Sequence, residues 1–248
     1  FDRLLILLFM DLSSGYICVE ESAENRKATT WTNKTALVRS KFKEILCLGS
    51  DRAKSLIKFS KDAKIKSIAE LYHLQQSVVR VFRYAFASKR KSLQKQKASA
   101  RRTLDKLIGS KASPNLIKVQ EDKIAAIEVK NTIIDKGQST YRQQLQEIST
   151  TTHPFDCNSQ LKTSAELHKQ LNSSLAILRQ VAADCGIKDK NKRLNYFDNN
   201  TTEMSALVDL WWQWVDCDLE NQQCSSELKQ WLKERLLPLI YWKQQIKK

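Results

Sequence analysis

Residues 4–21, LLILLFMDLSSGYICVEE, contain two apolar runs that are separated by a short polar turn. The first run ends abruptly at Asp11, and a short unbroken apolar run predicts a strand that is buried on both faces. The turn Ser13-Ser14-Gly15 predicts that the second run, from Tyr16 to Val19, pairs with the first as a hairpin. Asp11 is therefore expected at the end of a buried strand, which is a common position for a metal ligand.

A second predicted strand ends in the same way. Residues 42–50, FKEILCLGS, form a short apolar pattern, and Asp51 follows at the start of a helical pattern. If the two strands are neighbours in one sheet, the carboxylates of Asp11 and Asp51 converge, and Mg²⁺ prefers such hard oxygen ligands. Two other interpretations stay open: Ser50 or Asp51 could cap the following helix, and Asp11 could be a turn residue.

Several stretches together resemble a known family. They are MDLSSGYICVEESAENRKATTW (10–31), SDRAKSLI (50–57), IAELYHLQQSVVR (68–80), His153-Pro154-Phe155 and the Trp-rich run at 210–214. In these stretches the chain resembles the DDE-type transposases of bacterial insertion sequences. The resemblance implies a ribonuclease H-like fold whose first and fourth strands each end in a catalytic acid, and Asp11 and Asp51 match those two positions.

The resemblance also implies an activity. It is metal-dependent phosphodiester hydrolysis and strand transfer on DNA, in which Asp11 bridges two Mg²⁺ (or Mn²⁺) ions and Asp51 binds one of them. The implied partners are transposon ends and target DNA. The resemblance also allows a homodimer or a higher oligomer.

The third catalytic acid of this family, a Glu on a late helix, has no clear counterpart in this sequence. Glu203 opens an apolar helical pattern, but Thr201-Thr202-Glu203 is equally typical of a helix start. We therefore expect the third acid to lie beyond Lys248, the chain to be a fragment, and its nuclease activity to be weak or absent.

The composition indicates a polyanionic partner. The chain has 248 residues, a net charge of +15 and 42% hydrophobic residues. This charge favours nucleic acid first and a membrane surface second. No apolar run reaches the length of a membrane span. The six cysteines form no Cys-x-x-Cys pair, which favours reduced thiols in a cytoplasmic protein, and we expect it to be prokaryotic and nucleoid-associated.

Three regions are predicted. Residues 1–88 form an α/β, ribonuclease H-like core, since strand and helix patterns alternate there. Residues 89–150 form a basic helical hairpin, and residues 151–248 form a further helical insertion region. The first arm of the hairpin is rich in Lys and Arg, with Asp105 as its only acid up to Lys111. It could lie along phosphates, or it could be a solvated charged face.

Individual helices are predicted over 28–41, 70–88, 164–183 and 203–219, with a polar stretch at 191–202. The Trp cluster at 211–214 favours packing in a core over stacking on bases. His73 is expected to be a satisfied histidine and not a partner of the metals.

Three rival functions are open. The first is a non-catalytic helical protein that binds nucleic acid through its basic arm. The second is a ribonuclease H-like nuclease that acts on RNA or on RNA–DNA hybrids. The third is a helical scaffold that pairs with a partner coiled coil through residues 89–150.

Overall fold

The computed structural model of this protein describes residues 5–10, 16–42 and 45–246. In this part the chain is a mixed α/β protein in which helices predominate. The elements in chain order are β1 (Leu5–Met10), β2 (Ile17–Ala23), α1 (Ala28–Lys41), β3 (Cys47–Ser50), α2 (Lys54–Asp62), β4 (Lys66–Ala69), α3 (Leu71–Gly109), α4 (Pro114–Thr151), α5 (Ser164–Asp184), α6 (Arg193–Glu220), α7 (Ser226–Trp231), a π-helical segment (Leu232–Leu236) and α8 (Leu237–Ile246).

The predicted N-terminal hairpin is confirmed. Strands β1 and β2 pair antiparallel, with Leu7 opposite Glu21 and a bulge near Met10. The expectation that β1 is buried on both faces is wrong, because Leu7 is 1% exposed whereas Ile6 and Leu8 are 54% and 49% exposed. Helix α1 packs against β2, and the alternation along β1 shows that, within the described residues, one face of this two-stranded sheet is covered and the other is exposed.

Strands β3 and β4 form a separate parallel pair in which Ser50 lies opposite Ala69. Helix α2 makes the crossover between them, as parallel strands require. Within the described residues β1 and β3 lie in two different sheets, so the common sheet expected for them is not formed there. The reason is that β1 takes β2 as its ladder partner, and the short strand β3 takes β4.

Helices α3 and α4 form a long antiparallel hairpin, 39 and 38 residues in length. Helix α3 runs without a break through Ser88 and Lys89, where the sequence predicted a change of region. Pro114 opens α4 in the first turn, where its missing N–H costs nothing. The two helices share a buried core with α5 and α6, which includes Phe82, Phe86, Leu93, Ile127, Ile134, Tyr141, Leu171, Leu175, Leu178, Phe197 and Met204.

Helix α5 matches its prediction closely. It begins with a capping box in which Thr163 and Glu166 satisfy each other's backbone N–H groups. After its end, Gly186 has φ +58°, the left-handed conformation that favours glycine after a helix.

Helix α6 begins at Arg193, well before the predicted start at Glu203. The polar stretch is helical because Leu194, Phe197 and Thr201 lie on one buried face. Glu203 is therefore inside a helix, and the interpretation of Thr201-Thr202-Glu203 as a helix start is wrong.

The C-terminal helices pack with the loop after α4. The ring of Phe155 meets the rings of Trp211 and Trp212 edge-on at centroid distances of 5.8 Å and 5.5 Å. The ring of Tyr241 is tilted against that of Phe155 at 5.5 Å. Trp211 and Trp212 thus pack against other aromatic rings and are half-buried, whereas Trp214 is 43% exposed, so the predicted core packing of the Trp cluster holds for two of its three tryptophans. Across the described ranges no helix combines the length and apolarity that a bilayer crossing needs.

Candidate nucleic-acid site at the end of β3

Asp51 is the first residue after β3, at the end where the parallel strands β3 and β4 both terminate. One oxygen of its exposed carboxylate accepts the backbone N–H of Ala53 at 2.9 Å. The backbone N–H of Arg52 donates to Oγ of buried Ser50 at 3.1 Å, and Arg52 has φ +57°. These contacts make a tight polar turn that presents the Asp51 side chain to solvent.

The interpretation of Asp51 or Ser50 as the cap of α2 is not borne out. The N-cap residue of α2 is Ala53, and no side chain caps that helix. The carboxylate of Asp51 closes the turn ahead of the helix instead, because its acceptor atom reaches the N–H of the N-cap residue itself.

Arg52 connects this turn to α6. Its guanidinium donates to Oδ1 of Asn200 at 2.6 Å and forms an ion pair with the carboxylate of Glu203. Asn200 is buried, and its amide donates to the backbone oxygen of Tyr196 at 2.6 Å. Glu203, the late acid that the sequence singled out, is therefore brought to the residue next to Asp51.

A cleft of about 280 Å³ opens beside Asp51. It is formed by the end of β3 and the first turns of α3 and α6, and the backbone N–H of Glu70 donates to the oxygen of Ser50 at 3.0 Å, which places α3 at the end of the strand. The cleft is lined by Asp51, His73, Gln76, Ser77, Arg80, Arg193 and Tyr196.

Two arginines give the cleft its electrostatic character. Among the residues that the structure describes, neither Arg80 nor Arg193 has a carboxylate oxygen within 4 Å, whereas His73 lies 3.4 Å from the carboxylate of Glu70. The first turns of α3 and α6 also contain no acid. Arg193 is the first residue of α6, and Arg80 lies in the third turn of α3. Two guanidiniums without a carboxylate partner in the described ranges make a site that attracts an anionic group such as a phosphate.

The expected meeting of Asp11 with Asp51 lies outside what the structure describes, because Asp11 falls in the undescribed segment 11–15. Residues 5–10, 16–42 and 45–246 contain no group of three His, Cys, Asp or Glu side chains that could hold a metal ion. Two carboxylates lie near the end of β3, those of Asp51 and Glu203. The carboxylate of Glu203 is already paired with the guanidinium of Arg52. The described donors alone therefore do not make a metal site.

Sequence reasoning missed the basic members of this cleft. Arg80 shares a helical face with His73, seven positions earlier, and that spacing could have pointed to it. Arg193 lies in the polar stretch for which no helix was predicted, so no periodic signal pointed to it, and the same holds for Asn200, which binds Arg52 outside the cleft lining.

A second polar cluster lies away from the cleft, under the His153-Pro154-Phe155 loop. Nδ1 of His153 is hydrogen-bonded to the hydroxyl of Tyr241. Burial lowers the pKa of His153, with the nearby Lys162 adding to the effect, and burial raises the pKa of Tyr241 to about 12. Lys162 is 8% exposed and its Nζ donates to the backbone oxygens of Thr150 and Thr151 at 3.1 Å and 2.8 Å, so this cluster caps the end of α4.

Comparisons with protein-family models, with curated proteins and with solved structures found no match for this chain.

Proposed function

We propose that this protein is a DDE-type DNA transposase whose phosphodiester chemistry takes place at the carboxyl end of β3. The observation that supports the proposal is a cleft at the end of a parallel strand pair that is lined by an exposed carboxylate, Asp51, and by Arg80 and Arg193, which have no carboxylate partner among the described residues. Glu203 of α6 is held at the neighbouring residue, Arg52. In α/β proteins, ligands bind outside the carboxyl ends of the parallel strands. The resemblance of Asp11 and Asp51 to the first two acids of these transposases supplies the reaction class.

In this proposal each described side chain has a role. Arg80 and Arg193 bind and orient a phosphate of the DNA strand, which their positive charges neutralise in part. Asp51 is held by the N–H of Ala53 and directs its carboxylate toward solvent. Asp11 and Asp51 would hold Mg²⁺ or Mn²⁺, and such an ion, when bound, supplies Lewis-acid stabilisation to a reacting phosphodiester.

We further propose Glu203 as the third acid. Helix α6 brings its carboxylate to the neighbour of Asp51, but the guanidinium of Arg52 neutralises it. Because a carboxylate that is tied to an arginine is a poorer metal ligand, we expect DNA cleavage by this chain to be slow. Replacing Arg52 with Gln would release Glu203 and should raise the cleavage rate if the fold is kept.

The test is a DNA-nicking assay on supercoiled plasmid with Mg²⁺ or Mn²⁺. We expect metal-dependent nicking that is lost in Asp11→Asn and in Asp51→Asn. The control is Asp62→Asn, which removes an exposed acid at the end of α2 that has no ion pair within the described chain. Nicking that persists in Asp51→Asn would overturn the proposal, and faster cleavage of an RNA–DNA hybrid than of duplex DNA would favour a ribonuclease H-like nuclease.

A second candidate function is a non-catalytic nucleic-acid-binding protein. It is favoured by the ion pair between Arg52 and Glu203 and by the separation of β1 and β3 into two sheets in the described part of the chain. DNA binding that is unchanged in Asp11→Ala and Asp51→Ala and indifferent to divalent metal, together with an absence of nicking, would support this function instead.

A further inference from the structure

The net positive charge of the helical hairpin lies on one of its two helices. Helix α3 contains ten Lys and Arg residues and one acid, Asp105. Helix α4 contains five Lys and Arg residues and five acids. The surplus on α3 is therefore not neutralised by its partner helix as a whole.

Eight of the ten cations of α3 fall into two rows, and Arg83 and Lys89 belong to neither. The first, which we call the inner row, faces α4 and consists of Arg90, Lys97 and Arg101. Arg90 pairs with Asp135, and Lys97 and Arg101 approach the carboxylate of Glu128 at 2.7 Å and 3.9 Å. The inner row therefore serves contacts between the two helices.

The second, which we call the outer row, has no such partners. Its members are Arg80, Lys91, Lys95, Arg102 and Lys106, and all five are exposed. Their spacings of eleven, four, seven and four residues place them on one side of the helix. That side is opposite the buried residues Phe82, Leu93 and Ala100. Within the described part of the chain, none of the five has a carboxylate oxygen within 4 Å.

The outer row is long, straight and narrow. At a rise of about 1.5 Å per residue, it extends about 39 Å from Arg80 to Lys106. This length is close to one turn of duplex DNA, about 34–36 Å. The positions between its cations on the same side include Tyr84, Ser88 and Ala98, so the row lacks the apolar residues that a membrane-binding helix carries.

One end of the outer row lies in the cleft beside Asp51, because Arg80 is both its first member and part of the cleft lining. Arg193 of α6 lines the same cleft. A nucleic-acid strand that follows the outer row toward the N-terminus of α3 would therefore reach Asp51.

We propose that the outer row is a binding track for the phosphate backbone of duplex DNA and that it leads the backbone into the cleft, where Arg80 and Arg193 hold one phosphate. The identification of the nucleic acid as DNA rests on the proposed function. Exposed, unpaired Lys and Arg side chains bind phosphates by releasing counterions, so the affinity depends strongly on salt and not on sequence.

The experiment compares two variants with equal charge. The outer-row variant is K91Q/K95Q/R102Q, and the inner-row control is R90Q/K97Q/R101Q. Each removes three positive charges from the same helix. Circular dichroism and thermal melting establish that both variants fold. Binding of a fluorescent duplex is measured by anisotropy in EDTA between about 50 and 200 mM salt, where phosphate contacts have their largest effect on affinity.

We expect the outer-row variant to bind at least about tenfold more weakly, and the slope of log K against log salt to become shallower by about 2 to 3. The inner-row variant should lose clearly less affinity than the outer-row variant, because two carboxylates of α4, Asp135 and Glu128, already compensate two of its three cations. Equal losses of DNA affinity in both variants, or no loss in the outer-row variant, would overturn the proposed binding track. Binding to anionic phospholipid vesicles that depends on the outer row, without binding to DNA, would overturn it as well.

The outcomes separate this inference from the proposed chemistry. If the outer row governs DNA binding but no nicking occurs with any divalent ion, the track stands and the transposase chemistry fails. If nicking depends on Asp51 but both variants bind DNA equally, the chemistry stands and the track fails. The variant R80Q/R193Q adds a check on the cleft, since it should weaken binding in EDTA whether or not the protein cuts DNA.

Discussion

The guanidinium of Arg52 joins the turn after β3 to the carboxylate of Glu203 in α6, across 151 positions of the chain. The same guanidinium donates to Asn200 at 2.6 Å, and its side chain is only 18% exposed. Arg52 therefore fixes α6 against the β3–α2–β4 unit.

We predict that Glu203→Gln lowers the free energy of unfolding by about 1 kcal/mol, since an amide keeps the shape of the side chain but loses the charge that partners Arg52. Urea denaturation measures the change. The control is Glu121→Gln, which alters an exposed acid of α4 that pairs with no cation in the described ranges. If Arg52→Met and Glu203→Gln were strictly additive in the double variant, the two side chains would not be coupled.

The packing of α4 against α5 depends on the absence of a side chain at Gly137. A Cβ added there would lie 2.3 Å from Sγ of Cys185 and 3.5 Å from Cγ1 of Val181. We predict that Gly137→Ala destabilises the protein by a net amount of about 1–2 kcal/mol, because the clash exceeds the gain of about 1 kcal/mol that alanine brings in a helix. Thermal melting measures the change.

The matched control is Gly109→Ala, since no atom lies within 4 Å of a Cβ at that position. This variant should be neutral or stabilising by about 0.5 kcal/mol. Cys185→Ala should relieve the clash, so that Gly137→Ala costs less in its presence. A stable Gly137→Ala variant would show that α4 and α5 are not packed as closely as described.

The His153–Tyr241 cluster predicts a pH dependence of stability. Burial lowers the pKa of His153 below its usual value of 6.5 in the folded protein, so the unfolded chain binds the proton more readily. The stability that the neutral histidine contributes is complete above pH 6.5 and falls as the pH drops below it toward the lower folded pKa. We predict that His153→Asn reduces the loss of unfolding free energy between about pH 7 and pH 5.

Urea denaturation of both proteins at a series of pH values provides the measurement. Asn is chosen because its amide can still hydrogen-bond to the hydroxyl of Tyr241 without titrating. The carboxylates titrate alike in the two proteins, so their contribution cancels in the difference. An identical decline with pH in the wild type and the variant would contradict the prediction.

Lys162 is a buried cation whose Nζ satisfies two backbone oxygens at the end of α4. We predict that Lys162→Met lowers the free energy of unfolding by about 2 kcal/mol, because two carbonyl groups lose a charged donor. Lys169→Met, at an exposed position of α5, should change it by less than about 0.5 kcal/mol. Equal effects of the two substitutions, measured by urea denaturation, would show that the carbonyl groups find water in place of Lys162.

The local elements were largely predictable from the sequence. The β1–β2 hairpin, α1 and α5 follow from turn residues, apolar periodicity and caps that lie close together in the chain. The start of α6 was missed because polar residues separate Leu194, Phe197 and Thr201, and their shared face becomes visible only when the helix is packed. The exposure of Ile6 and Leu8 was missed for a related reason, since a short apolar run does not show how many faces its sheet will cover.

The candidate site shows the same difference between what local sequence predicts and what tertiary contacts decide. The sequence by itself determined that an acid follows β3, that a long arm is basic and that Glu203 belongs to a late helix. Only the tertiary structure decided which strands pair, that Arg52 binds Glu203, and which cations of α3 lack an acidic partner among the described residues. The physical reason is that strand ends, turns and helix faces depend on residues within a few positions of each other. Ion pairs, clefts and strand order depend on contacts between distant segments, and no local pattern specifies these contacts.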